Sequence, residues 1–271
     1  MKIDILICTY NDGIKNIANL LMPPHPDISY KISHQVKDYE FDYGSLSFLG
    51  RKDIVYNQIN SVGLSKNRNN VMRMATGDIC FIADDDVRYE IDDIISISKE
   101  FENNPDLDIY VGKIRTYPNE PEYKLYATTK HKCGISDIGH ISSIEIIFRN
   151  KSIKANNISF DENFGLKGNL FNKGEEAIFL SDCLRKKLNI IYFPIYIVKH
   201  PFISSTRKIQ YNENEAQYFG SLNYRLFGSK AYITSFIFAF KHFKRYSPHI
   251  SIFDFFKGYF KGIRLLKNYQ S

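Results

Sequence analysis

The first 200 residues alternate short apolar runs with segments of helical periodicity. Apolar positions recur every three to four residues in the segments between the runs, which predicts helices there. Strands are predicted at 3–8, 29–35, 53–59, 79–83, 108–114, 143–149 and 190–200, and helices at 13–21, 65–77, 91–104 and 174–188. Such alternation is typical of a mainly parallel sheet covered by helices, so the pattern predicts an α/β fold.

The stretch GLSKNRNNVMRMATGDICFIADDDV, residues 63–87, runs a predicted helix into a buried strand that ends on Asp84, Asp85 and Asp86. Ser65 stands where the helix N-cap is expected. Adjacent carboxylates repel one another and resist desolvation, so this cluster is unfavourable unless a cation neutralises it. In an extended segment the first and third side chains point to the same side, and their hard oxygen ligands suit Mg²⁺ or Mn²⁺. The alternative is a solvated acidic turn.

The C-terminal part of the chain has a different charge. The whole chain carries +6, but the residues from Asn223 onward hold nine basic residues and one acid, a net of +8 that leaves −2 for the rest. Basic residues interleaved with Phe and Ile fit an anionic membrane surface better than nucleic acid, and we expect no nucleic-acid partner. The most apolar run, residues 231–240, is shorter than the roughly 20 residues needed to span a bilayer.

A second helical pattern follows that run. Its apolar residues fall on one face, with Lys257, Lys261 and Arg264 on the other. The apolar members are Ile252, Phe255, Phe256, Tyr259, Phe260, Ile263 and Leu266. Two interpretations remain open: the helix packs on the α/β domain, or it lies on a membrane.

The cysteine pattern bears on the cellular compartment. Cys8, Cys80, Cys133 and Cys183 lie far apart without a CxxC pair, which indicates neither a zinc site nor a disulfide framework. The N-terminus MKIDILICTYNDG enters a strand pattern directly and lacks the features of a secretory signal. We expect a cytoplasmic protein, either free or peripheral on the inner face of the plasma membrane.

Five motifs together resemble glycosyltransferase family 2, whose members have the GT-A fold. In order along residues 1–201 they are TYN after the first strand, GLSKNRNN at a helix start, GD-apolar-DDD at a strand end, GEE opening a helix and VKH ending a later strand. The resemblance implies a Rossmann-like, mostly parallel central sheet flanked by helices over residues 1–201. A basic, aromatic helical extension follows over residues 202–271.

The resemblance also implies an activity. Members of the family carry out a metal-dependent, inverting transfer of a sugar from a nucleoside-diphosphate sugar, with a UDP-sugar the favoured donor here. The expected acceptor is a hydroxyl of a bacterial surface glycan or lipid-linked intermediate. Two other functions stay open: a nucleotidyltransferase, which also places carboxylates and a metal at a strand end, and a non-catalytic, membrane-attached donor-binding subunit.

The resemblance assigns metal and sugar roles to the late strand ends. Asp86 is the expected ligand of Mn²⁺ or Mg²⁺, and Asp84 the expected partner of the ribose or donor sugar, with Asp85 beside it in the donor site. Related GT-A enzymes can use a histidine at the position of His200 as a further metal ligand, while the alternative is a hydrogen-bonded structural residue.

The nucleotide is expected at the end of the first strand. Thr9, Tyr10 and Asn11 leave that strand at its carboxyl end, where ligands collect in open α/β sheets. Arg68 lies on the first turn of the helix predicted at 65–77, near any phosphate bound at the N-terminus of that helix. The alternative is a solvated helix residue. The family often has a uracil-binding aspartate at the end of the second strand, where this chain has Ser33-His34-Gln35.

The GEE motif, residues 174–176, supplies the expected catalytic base. The family usually has Gly-Glu-Asp at this place, with the last acid as the base, so Glu176 inherits that role by position. A carboxylate can accept a proton from an acceptor hydroxyl. The alternative is that Glu175 and Glu176 only complement the dipole of the helix that they begin.

Overall fold

The computed structural model describes residues 1–37, 46–202 and 212–270, and it divides into two compact units, Met1–Phe202 and Ile203–Ser271. The first unit is an α/β fold with one sheet. Its strands are β1 (Ile3–Tyr10), β2 (Ile28–Gln35), β3 (Ile54–Ile59), β4 (Ile79–Asp84), β5 (Ile109–Arg115), β6 (His131–Lys132), β7 (Ile146–Arg149) and β8 (Ile190–Lys199). Its α-helices are α1 (Leu64–Met74), α2 (Ile91–Asn103), α3 (Asn150–Ala155) and α4 (Glu175–Arg185).

The sheet has the strand order β3-β2-β1-β4-β7-β5-β8-β6 and is mostly parallel, as predicted. Strands β7 and β6 are the antiparallel members. The parallel strands β1, β2 and β4 lie side by side, so their carboxyl ends meet at one edge of the sheet. In the register, Cys8 lies beside Asp84 and Tyr10 beside Gln35. The residues that follow these strands are therefore neighbours in space.

The strands appear as apolar runs because the sheet is covered on both faces. Along β1, Ile5 and Ile7 enter one hydrophobic core, while Leu6 and Cys8 enter the other. Alternate side chains of a strand point to opposite faces, so a doubly covered strand is apolar at consecutive positions. This explains why the sequence predicts these strands well.

One local expectation is wrong. Ser65 does not cap α1, because the N-cap is Gly63 and Ser65 lies inside the first turn, donating to the carbonyl of Phe164 at 2.5 Å. The short helix predicted from residue 13 is present as a 3₁₀ helix, Asn11–Asn19. Proline residues 23, 24 and 26 follow it, and they do not continue a helix.

The described part of the second unit is helical, with the α-helices α5 (Glu213–Phe227), α6 (Ala231–Tyr246) and α7 (Ile252–Gln270). The first residues of the predicted extension beyond 202, residues 203–211, lie outside the described residues. Helices α5 and α7 pack closely at two glycines: a Cβ on Gly220 would lie 1.9 Å from the carbonyl oxygen of Tyr259, and one on Gly262 would lie 2.0 Å from that of Gln217.

The predicted amphipathic face of α7 is buried within this second unit. Phe255, Tyr259, Ile263 and Leu266 are all at most 1% exposed. Within this unit, the packing partners of the face are α5 and α6. The helix was therefore located correctly, but neither proposed surface is needed to explain its apolar face.

Candidate active site

The three aspartates of the DDD segment face different partners. Asp84 lies at the end of β4 with Oδ1 3.5 Å from an Arg68 nitrogen, and Asp86 Oδ2 lies 3.4 Å from His200 Nε2. Asp85 turns toward β1, where its Oδ2 accepts a 2.5 Å hydrogen bond from the Thr9 hydroxyl. Strand β4 ends at Asp84, and Asp85 and Asp86 lie in the turn that follows, so the extended geometry expected for all three residues is not present. The turn directs Asp85 toward Thr9 and Asp86 toward His200.

Arg68 is the centre of a buried ion cluster. Its guanidinium is 2% exposed and lies 3.0 Å from Glu175 Oε1 and 3.3 Å from Glu176 Oε1. A further nitrogen donates to the Ser143 hydroxyl at 2.7 Å. Burial disfavours the charge of Arg68, but the carboxylates of Glu176, Asp84 and Glu175 outweigh it and raise the pKa. The setting expected for Arg68, beside a phosphate at the helix N-terminus, differs from this one, where its described ion partners are carboxylates.

The two glutamates of the GEE motif have unequal environments. Glu175 is 4% exposed and its Oε2 has no hydrogen-bond partner among the described residues. Burial, and then the charge of Glu176, raise the pKa of Glu175, against the opposing effect of Arg68. The side chain of Glu176 is 21% exposed. Glu176 is therefore the member of the pair that a substrate can reach.

Asp86 and His200 form a second pair near the cluster. The Nδ1 of His200 lies 2.6 Å from the Pro201 carbonyl, which can only accept, so Nδ1 carries a hydrogen and Nε2 faces Asp86. Burial opposes the imidazolium, but Asp86 and the Pro201 carbonyl outweigh it and raise the pKa of His200. The His200 contact in turn lowers the pKa of Asp86, against the effect of burial.

This pair fits a divalent cation in part. A neutral His200 with a hydrogen on Nδ1 presents a free electron pair on Nε2, and the Pro201 carbonyl that accepts this hydrogen fixes the tautomer. Asp86 supplies a carboxylate oxygen at the same place. Among the described residues, no three His, Cys, Asp or Glu side chains are grouped to hold a metal. The two predicted ligands would therefore need oxygen atoms from a bound ligand to complete a coordination shell.

A cleft of about 230 Å³ opens at the ends of β1, β2 and β4. It brings together four of the predicted donor-site residues, Thr9, Tyr10, Asp84 and Asp85. Asn11 is not among the lining residues: its backbone carbonyl accepts from His34 Nε2 and its Oδ1 from the Lys37 amide. Residues that the sequence analysis did not predict complete the wall, and they are Cys8, Gln35, Gly63, Leu64, Asn67, Leu166 and Lys167.

Two amides in this cleft have orientations fixed by carbonyl groups. Gln35 donates from Nε2 to the Gly63 carbonyl and the Ser61 hydroxyl, both at 3.0 Å. Asn67 donates from Nδ2 to the Thr9 carbonyl at 2.9 Å. Because a carbonyl only accepts, the atom that faces it in each side chain must be the amide nitrogen. The amide oxygens of Gln35 and Asn67 are therefore the atoms left to accept a hydrogen bond from a ligand. The Asn67 Oδ1 is buried and has no partner among the described residues.

Three residues, Ser33, His34 and Gln35, stand where the family often has a uracil-binding aspartate, and only Gln35 lines the cleft. His34 is fully buried, and its ring nitrogens contact the Asn11 carbonyl at 2.8 Å and the Tyr56 hydroxyl at 2.9 Å. Ser33 is also buried and accepts from Asn70. Gln35, the last residue of β2, lines the cleft instead. Its position at a strand end was the available signal in the sequence.

Lys167 supplies positive charge to the cleft. Its Nζ lies 3.7 Å from the centroid of the Tyr10 ring, a cation–π distance. The loop that carries it is tied to α1, because the Leu64 amide donates to the Leu166 carbonyl at 2.9 Å. Nothing in the local sequence indicates this placement, since Lys167 and Tyr10 are far apart along the chain.

The fold and the site define an α/β protein of the GT-A class. Residues 37–168, just under half of the chain, match the family model described as "Glycosyl transferase family 2". The matched segment is similar to this family, and the whole fold is similar to solved GT-A structures. A search of curated proteins finds no significant match.

Solved structures of S. aureus TarS share the fold. TarS 1–349 in complex with UDP-GlcNAc has a TM-score of 0.65 and 14% identity, over 92% of this chain and 74% of that chain. TarS 1–349 in complex with UDP has a TM-score of 0.63 and 15% identity, over 95% of this chain and 81% of that one. A longer TarS structure has a TM-score of 0.62 and 15% identity, over 90% of this chain and 44% of that chain.

Proposed function

We propose that the chain is an inverting glycosyltransferase that moves a sugar from a UDP-sugar to a hydroxyl of a bacterial surface glycan or lipid-linked intermediate. The observation that carries this proposal is one cluster at the carboxyl ends of β1, β2 and β4. There, the cleft of about 230 Å³ lies beside the Arg68–Glu176 contact and the Asp86–His200 pair. The family match and the UDP-GlcNAc complex of TarS, which has the same fold, support the donor class.

The amide oxygens of Gln35 and Asn67 support uracil as the base. Both are acceptors fixed by their own hydrogen bonds, and the imino N–H of uracil is a donor. Cytosine presents an unprotonated ring nitrogen at that place, which would face another acceptor. Lys167 is the cationic side chain of the cleft that is available to the phosphates.

Asp86 and His200 are the residues that would hold Mn²⁺ or Mg²⁺, with diphosphate oxygens as further ligands. A bound cation neutralises charge that develops on a leaving diphosphate. Asp86→Asn should therefore abolish the metal-dependent part of donor binding, measured as the rise in unfolding temperature with UDP and Mn²⁺. Asp106→Asn, at an exposed position outside the site, is the control. An undiminished Mn²⁺ effect in the Asp86 variant would refute the assignment.

Glu176 would take the proton of the acceptor hydroxyl as that oxygen attacks the sugar carbon and the diphosphate leaves, in one in-line displacement. Arg68 positions Glu176 from the buried side through the 3.3 Å contact. Glu176→Gln should lower turnover about 100-fold or more while donor binding survives. Asp182→Asn removes a carboxylate from the same helix, α4, and should leave turnover near normal.

The product distinguishes the alternatives. A glycosyltransferase releases UDP, whereas a nucleotidyltransferase releases pyrophosphate. UDP-dependent stabilisation without transfer or hydrolysis across a broad acceptor panel would favour a non-catalytic donor-binding subunit. If Glu175→Gln stops turnover and Glu176→Gln does not, the two glutamates exchange roles.

A further inference from the structure

Helix α6 of the second unit has two faces of different exposure. One face is packed inside the unit, where Ala231, Ser235, Ala239 and Tyr246 are fully buried. The opposite face is also apolar but is exposed. Its members follow a spacing of three to four residues, and we call them the α6 surface: Ile233, Phe236, Ile237, Phe240 and Phe243.

The side chains of the α6 surface are more exposed than partly buried residues at the edge of a hydrophobic core. Ile233 is 69% exposed, Ile237 64% and Phe240 67%, and these three lie on consecutive turns of one helix. Scattered exposed apolar residues are normal on proteins, but a contiguous apolar stripe marks an interaction surface. The predicted membrane face on α7 is internal, and the exposed apolar residues of α7, such as Phe253 and Tyr269, lie at its two ends, whereas those of α6 form a stripe along the helix.

The basic residues around the α6 surface favour an anionic partner. Lys241, Lys244 and Arg245 are exposed on the same helix, and the chain from Asn223 onward carries a net of +8. Two copies of the chain meeting at the α6 surface would bring like charges together, which disfavours a dimer there. A partner with an anionic surface and an apolar interior would bury the exposed apolar side chains and attract the basic residues beside them.

We propose that the α6 surface lies in the plane of an anionic phospholipid bilayer, with its apolar side chains at the boundary between headgroups and acyl chains. Among the described residues, no helix has the length and apolar character needed to cross a bilayer, so α6 would lie along the surface. The lysines at its edge would contact the headgroups. This proposal does not depend on the donor site.

The test is co-sedimentation of the full chain with vesicles of phosphatidylcholine, with and without phosphatidylglycerol. Ile237→Ser/Phe240→Ser should lower the vesicle partition coefficient about tenfold or more, because two inserted side chains are lost. Lys241→Gln/Lys244→Gln should lower it by about fivefold for each charge. Leu125→Ser, which removes a fully exposed apolar side chain from the first unit, is the matched control. Far-UV circular dichroism verifies that each variant is folded.

The proposal expects binding that requires phosphatidylglycerol and that weakens at about 0.5 M salt, because salt screens the headgroup attraction. No binding to anionic vesicles, or equal binding by the intact chain and the Ile237/Phe240 variant, would overturn it. A dimer in solution that becomes a monomer in the Ile237/Phe240 variant would also overturn it and assign the surface to a second copy of the chain.

Discussion

Replacing Arg68 by methionine probes the ion cluster beneath the proposed base. The change keeps an unbranched chain in the space but leaves three carboxylates without their shared cation. These lie 3.0 Å (Glu175), 3.3 Å (Glu176) and 3.5 Å (Asp84) from the guanidinium nitrogens. Breaking a buried ion pair from one side costs about 3–5 kcal/mol, since the remaining charge is uncompensated. We expect a loss of that size in the free energy of unfolding at neutral pH.

The loss should depend on pH. Arg68 opposes the burial that raises the folded-state pKa values of Glu175 and Asp84, so without Arg68 these two pKa values rise further and the variant loses stability more steeply than the parent as pH increases. The difference should therefore be larger at pH 8 than at pH 5. Urea unfolding followed by circular dichroism measures it, since the chain has no tryptophan.

Arg149→Met is the matched control for this experiment. Arg149 donates to the backbone carbonyls of Leu107, Phe101 and Asn104, which do not titrate, so the cost of its loss should be nearly constant over the same range. A cost below about 1 kcal/mol for Arg68→Met, or one that is independent of pH, would refute the cluster as the source of stability.

Three further predictions concern separate features. The pKa of Glu175 is raised in the folded state, so protonated Glu175 contributes stability that is fully present below the ordinary glutamate pKa and is lost as pH rises through the folded pKa. Glu175→Gln should flatten this decline in urea unfolding from pH 5 to pH 8, and parallel curves for the variant and the parent would contradict the prediction. Gly262→Ala places a methyl group 2.0 Å from the Gln217 carbonyl oxygen and should destabilise the helical unit by about 1–3 kcal/mol, while Gly139→Ala, with open space around it, should be near neutral in thermal unfolding. Asn67→Ala should reduce the preference for UDP over CDP about fivefold to tenfold in competitive binding, a ratio that a purely structural role would leave unchanged.

The sequence predicted the strands better than the site contacts, for a physical reason. Strands buried on both faces leave an apolar run that is visible locally, so β1, β2 and β4 were located to within two residues. This feature depends on residues that are adjacent along the chain. The direction of Asp85 does not follow from the two-residue period of a strand, because Asp85 and Asp86 lie in the turn after β4.

Contacts between residues far apart along the chain could not be predicted, because they leave no local pattern in the sequence. Arg68 meets Glu175 across 107 positions, and no local pattern shows that a helix-surface arginine ends among carboxylates. The amphipathic pattern of α7 predicted a buried face but not the helix that covers it. In α6, the length of the run excluded a membrane span, while its second apolar face became apparent only when the packed face was known.

The charge of the site gives the physical reason to propose a cation. Asp84, Asp86 and Glu176 face Arg68 and His200, and Arg68 is already committed to the carboxylates that it contacts. A nucleoside diphosphate is itself anionic, so binding it beside this acidic group costs electrostatic free energy unless positive charge enters with it. Lys167 can offset part of that repulsion from the cleft side. Binding of UDP alone should therefore weaken when Lys167 is replaced by glutamine, and divalent cation should recover most of the affinity if Asp86 and His200 hold it.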